Sequence, residues 1–154
     1  MRIPYTWDKG EELLKKGKTT DAVKFYAVKG NAEKILEVIE KEYQEFGVNS
    51  ARIVIDVAIA AAEKVGKSQV VTEMGDLLAY NPKYKDVPSA LNAYLRSGNT
   101  WKIEELSYRV LHNDGEKGMA NFINMVGKAN GEQVTNQMKS RILPDWLKKE
   151  LAKK

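Results

Sequence analysis

Two stretches of this chain, Asp21–Ile35 (DAVKFYAVKGNAEKI) and Ser89–Ile103 (SALNAYLRSGNTWKI), match at Ala, Tyr, a Gly-Asn pair, Lys and Ile, at a constant offset of 68 in the numbering. No other feature constrains the fold as much. A segment that recurs is one structural unit used again, which buries its apolar face against its neighbours. A related segment lies midway between the two: VAIAAAEKVGKSQVV places Gly66 where Gly30 and Gly98 fall, and Val71 where Ile35 and Ile103 fall. A fourth segment, NFINMVGKANGEQVTNQM, shares VGK and QVxxxM with it, with about three extra residues at the turn. The joints expected from this register are Gly30, Gly66, Gly98 and either Gly127 or Gly131. Half of the offset, a spacing of about 34 residues, is that of a helix–turn–helix repeat.

Periodicity supports helices throughout. Ala32, Ile35, Leu36, Ile39, Tyr43 and Phe46 keep the three-four rhythm of one buried face, as do Met119, Phe122, Ile123 and Val126, and Val134, Met138 and Ile142. Asn31, Asn49 or Ser50, Ser68, Asp86 and Asn99 stand where N-caps belong. Helices are therefore expected near 5–16, 19–29, 31–46, 50–65, 67–80, 86–97, 99–112, 116–129, 131–142 and 145–152. Few stretches alternate with period two, so strands are not expected. At 154 residues the chain suffices for one helical domain, 1–154, and its 43% apolar and 30% charged content is that of a globular protein. No apolar run approaches the ~18 residues a membrane span needs. MRIPYTWDKGEELL lacks the apolar core of a secretory signal, and the absence of cysteine removes disulfides, thiolate catalysis and cysteine-ligated zinc. A cytoplasmic location is expected, with no membrane partner.

In GKTTDAVKFY, Gly17, Ala22 and Tyr26 fall like the turn glycine, small residue and aromatic of the tetratricopeptide repeat (TPR) family, which the chain resembles over about residues 11–142. The Asn81-Pro82 pair of GKSQVVTEMGDLLAYNP closes its unit where that family often has a proline. Gly75 replaces the family's aromatic, and the first-helix Trp and Leu-Gly signature is missing. The resemblance implies an all-α fold: a right-handed α-solenoid (TPR-like) of about four helix–turn–helix units. Helices 5–16 and 145–152 would serve as caps, with Trp7 and Trp146 docking them, because a solenoid end needs a polar cover.

One motif points to chemistry. AAEKVGKS, Ala61–Ser68, fits a relaxed phosphate-loop pattern. A working loop leaves a buried parallel strand and enters a helix, whereas nothing else here supplies such a sheet. Glu63 would place a carboxylate beside phosphate oxygens, and VGK recurs at Val126–Lys128 as a turn would. The expectation is a helix–turn–helix joint. His112, the only histidine, is explained by the dipole at a helix C-terminus. In EVIEKEYQE, Glu37–Lys41 is an ordinary i,i+4 pair. No catalytic residue, cofactor, metal or small-molecule substrate is expected.

The polar positions carry the functional expectation. Lys117, Asn121, Asn124 and Lys128 run 4, 3 and 4 apart along one helix face; Asn92 and Arg96 lie four apart on the preceding unit's first helix, and Lys24 takes a similar place earlier. If first helices line the concave side, as in the family resembled, these seven residues face one groove. Lysine and arginine there bind carboxylates, and Asn amides hold extended backbone. The expected function is a non-enzymatic scaffold or adaptor for an acidic protein segment. The net charge is +4: residues 1–30 carry seven basic against four acidic residues, 130–154 six against three, and 31–65 four against seven. Basic ends leave nucleic-acid binding, as in a ribonucleoprotein subunit, as the alternative, although no base-reading module is present.

Overall fold

The computed structural model describes residues 8–128, 139 and 141–153. Every regular element among them is a helix: α1 (Lys9–Lys15), α2 (Thr19–Lys29), α3 (Ala32–Phe46), α4 (Val48–Lys64), α5 (Ser68–Tyr80), α6 (Val87–Ser97), α7 (Thr100–Lys128) and α8 (Asp145–Ala152). Helix α7 is broken at Gly115, whose φ of 69° and ψ of −157° no helix contains, so it consists of two helical arms. The chain divides between Val70 and Val71 into two compact units.

In the first unit the caps set the boundaries. Asp8 Oδ1 accepts from the backbone of Gly10 at 2.8 Å and of Glu11 at 3.2 Å, satisfying two of the donors that a helix start leaves open. Gly30 ends α2 in the left-handed conformation, with Asn31 N–H returning to Tyr26 C=O at 2.9 Å, and the Asn31 side chain then caps α3 through Lys34 N–H at 3.2 Å. Helix α4 packs on α2 and α3. Its buried face mixes small and branched residues (Ala51, Val54, Ile55, Ala58, Ile59, Ala62), and α2 buries Ala22, Val23, Tyr26 and Ala27.

The second unit repeats these devices. Asp86 caps α6, accepting from Ser89 N–H at 3.2 Å and Ser89 Oγ at 2.8 Å. Gly98 ends α6 in the left-handed conformation, Asn99 N–H returns to Tyr94 C=O at 3.0 Å, and the Asn99 side chain caps α7 through Lys102 N–H at 3.1 Å. Gly115 stands where Gly47 stands in the first unit, and both have a backbone open to glycine alone: φ 95°, ψ −174° at Gly47 against φ 69°, ψ −157° at Gly115. The recurrence seen in the sequence therefore extends to the backbone: α1, α2, α3 and α4 correspond to α5, α6 and the two arms of α7. Helix α8 packs on α7 and buries Leu147. Lys139 is buried too, and its ammonium donates to the carbonyls of Val126 at 3.2 Å and Gly127 at 3.3 Å, closing the end of α7.

Several expectations are corrected in detail. Gly127 is inside α7 and is not a joint; the rival joint Gly131 lies outside the described residues, as do Trp7, Val134, Met138, residues 5–7 of the helix expected over 5–16 and most of that expected over 131–142. The described part of the former begins at Lys9, with Asp8 as its cap. Helix α4 begins at Val48 with Gly47 before it, so Asn49 and Ser50 are helical residues, and Ser68 is the first residue of α5. Glu37 pairs with Lys34 at 3.5 Å, one turn back, instead of with Lys41. Phe46 falls on the apolar face of α3 but is its last residue and is 67% exposed; Leu36 is exposed as well. Trp101 is exposed, and α8 starts directly after Pro144, in line with the helix expected at 145–152.

Candidate functional site

Each unit holds the same knot of polar side chains around a buried tyrosine. In the first unit Tyr26 donates its hydroxyl proton to Asp8 Oδ1 at 3.2 Å, while Lys34 pairs with Glu11 at 2.9 Å and Glu37 at 3.5 Å. In the second, Tyr94 donates to Asp76 Oδ1 at 2.6 Å, and Lys102 pairs with Asp76 at 3.3 Å and Glu105 at 3.5 Å. Asp8 and Asp76, Tyr26 and Tyr94, Lys34 and Lys102, and Glu37 and Glu105 all keep the offset of the sequence repeat. In both units a glycine lies against the ring, Gly10 on Tyr26 and Gly75 on Tyr94, where any Cβ would collide with it.

The second knot is the larger. Tyr80 reaches Tyr94, and the Arg109 guanidinium stacks 4.6 Å from the Tyr80 ring centre; the corresponding positions in the first unit are Glu12 and Lys41. Burial, then the nearby carboxylates, raises the tyrosine pKa values. Tyr26 is pushed up to about 12 by burial and Asp8, Tyr80 to about 12 by burial and Glu105, and Tyr94 far above the ordinary range by burial and its bond to Asp76. These phenols stay protonated at neutral pH, and Tyr26 and Tyr94 donate to carboxylates. The carboxylates they bind are held by two or three donors each, an arrangement that positions helices.

Each unit also holds a cleft. In the second unit it encloses about 420 Å³, floored by Val87, Val110, Phe122 and Met125 and walled by Lys117, Asn121 and Asp114. In the first unit it encloses about 430 Å³ between α1, α2 and α3. Thr19, Glu42 and Phe46 line the first where Val87, Val110 and Asp114 line the second, again in the register of the repeat.

The seven expected contact residues separate into groups. Lys117, Asn121, Asn124 and Lys128 are all exposed along one face of the second arm of α7, and the first two line the cleft. Asn92 and Arg96 are half-buried on α6, and Asn92 Oδ1 is turned inward, where no hydrogen-bond donor among the described residues reaches it. Lys24 is exposed on α2 of the first unit. The residues of AAEKVGKS form the end of α4, a turn with Gly66 at φ 76°, and the start of α5. No strand feeds that turn, so its amide groups do not form a phosphate-binding loop. His112 is exposed near the end of the first arm of α7. Among the described residues no three acidic or histidine side chains are placed to hold a metal ion, and no helix is long and apolar enough to cross a membrane.

The knots escaped the sequence reading although their signal was present. The recurrence is dense over Asp21–Ile35 and Ser89–Ile103, whereas its most informative pair, Asp8 and Asp76, lies a dozen or so positions upstream of each segment. Comparison with protein-family models, with curated proteins and with solved structures found no match.

Proposed function

We propose that the protein is a non-enzymatic scaffold that binds an acidic, extended protein segment in the cleft of its second unit. One observation carries this reading: Lys117 and Asn121, the start of an exposed ridge that runs on through Asn124 to Lys128, line a cleft with the apolar Val87, Val110, Phe122 and Met125. The floor takes apolar side chains of the segment, the lysines take its carboxylates, and the Asn amides pair with its backbone. Two lysines against Asp114 leave the ridge net positive. A right-handed solenoid of four helical hairpins, like that of TPR proteins, and a cytoplasmic location are the setting this reading implies; the internal recurrence and the cysteine-free composition support them.

Fluorescence anisotropy with a labelled glutamate–leucine peptide tests it. Micromolar binding is expected, weakened about tenfold by Lys117→Glu combined with Lys128→Glu. Unchanged binding in that variant would refute the reading. So would tighter binding of single-stranded RNA with a steep salt dependence, which would assign the ridge to phosphates.

A further inference from the structure

The two clefts share three repeat-equivalent positions and have nearly equal volumes, yet their charge differs: the second balances Asp114 with Lys117, whereas the first is acidic. The first unit's cleft has Glu11, Glu37, Glu42 and Glu45 against Lys34 and Lys41, four carboxylates to two ammoniums. Lys34 is engaged by Glu11 and Glu37, and those bonds raise its pKa and fix its charge on them. Lys41 is then the one ammonium set against Glu42 and Glu45, one turn apart at the end of α3, which carry the remaining surplus. Beside them, lining the same cleft as Leu14 and Val38, stands Phe46, largely exposed, where the second unit has Asp114. An aromatic ring held in water at the mouth of an acidic cleft is an anchor for an apolar side chain whose neighbours are cationic.

We infer that the first unit's cleft is a second binding site, selective for a basic amphipathic peptide segment. Its lysine or arginine side chains pair with Glu42 and Glu45, and its apolar residue packs on Phe46 and Leu14. Charge complementarity selects this occupant: an acidic segment would meet uncompensated carboxylates, and nucleic acid would be repelled. The site shares no residue with the proposed acidic-segment cleft, so each stands or fails separately. Together they would let one chain hold two segments of opposite charge.

The test uses a labelled lysine–leucine peptide beside the glutamate–leucine peptide, titrated into the full chain at low and raised salt. The chain should bind the lysine–leucine peptide. Glu42→Gln with Glu45→Gln should weaken that binding about tenfold, and Phe46→Ala about fivefold, with no change for the glutamate–leucine peptide. Glu33→Gln, on α3 outside the cleft, should change neither peptide. Glu45 and Phe46 are exposed, so circular dichroism should show helix content intact. The inference is overturned if the wild-type chain ignores the lysine–leucine peptide, if the double variant binds it equally well, or if Glu33→Gln weakens it as much, which would mean diffuse attraction. Loss of glutamate–leucine binding alone would sink the proposed function and leave this site standing.

Discussion

Replacing Tyr94 by Phe removes one hydroxyl from a side chain that is 0% exposed and bonded to a carboxylate at 2.6 Å. A hydrogen bond to a charged partner contributes about 1.5–3 kcal/mol net. Asp76 keeps Lys102 at 3.3 Å after the substitution, so its charge is not orphaned, and the loss should fall near the lower part of that range, about 2 kcal/mol. Tyr26→Phe is the matched experiment at the equivalent position of the first unit. There the bond is longer, 3.2 Å, and Asp8 retains the amides of Gly10 and Glu11, so about 1 kcal/mol should be lost. Urea unfolding followed by circular dichroism resolves the two. At a slope of about 2 kcal/mol per molar, the midpoint should fall by about 1 M for Tyr94→Phe and about 0.5 M for Tyr26→Phe. Combining Tyr94→Phe with Asp76→Asn should cost less than the sum of the single changes, because both remove one bond. An equal or larger cost at Tyr26 would refute the claim that bond length and the acceptor's other partners set these energies.

Gly47→Ala and Gly115→Ala should each cost about 1–3 kcal/mol of stability in the same urea assay, although a Cβ at either position meets nothing within 4 Å, because the backbone there suits glycine alone. Alkaline titration followed at the tyrosinate absorbance should show Tyr26 and Tyr80 ionising only near pH 12. Their folded pKa values lie above the unfolded value of 10.0, so the stability they contribute is complete below pH 10 and is lost as pH rises through 12; thermal melts between pH 9 and 12 should show that fall. Lys139→Met should lower stability by about 1–3 kcal/mol and speed amide exchange in the last turn of α7, since the carbonyls of Val126 and Gly127 lose their shared donor.

Helix positions were legible because their determinants are local. Asn31, Asp86 and Asn99 cap as their sequence settings require, and the expected joints Gly30, Gly66 and Gly98 turn the chain with positive φ. Phe46 was misplaced because periodicity gives the face of a helix but not how far along it the neighbours extend. The second-unit ridge was legible for the same local reason: residues 4, 3 and 4 apart share a face whatever packs behind them. The clefts were not, since Val87 and Val110 become neighbours only when α6 folds onto α7. The bond from Asp8 to Tyr26 is not legible for another reason: the helix expected over 5–16 places Asp8 in its interior, whereas Asp8 caps α1 and accepts from Tyr26.

Each tyrosine knot closes over a short span of chain, from Asp8 to Tyr26 and from Asp76 to Tyr94, so the order of synthesis decides which forms first. Asp8, Tyr26, Lys34 and Glu37 are all joined to the chain before Val71 is added, and they emerge from the ribosome ahead of every member of the second knot. At roughly 5–20 residues per second, translating the stretch from Glu37 to Tyr94 takes roughly 3–11 s. Helix formation and short loop closure take microseconds or less. The leading unit has several orders of magnitude more time than it needs to settle before its near-copy emerges. That head start guards a duplicated chain against pairing Tyr94 with Asp8, or Tyr26 with Asp76, because the first acceptor is already occupied when the second donor arrives.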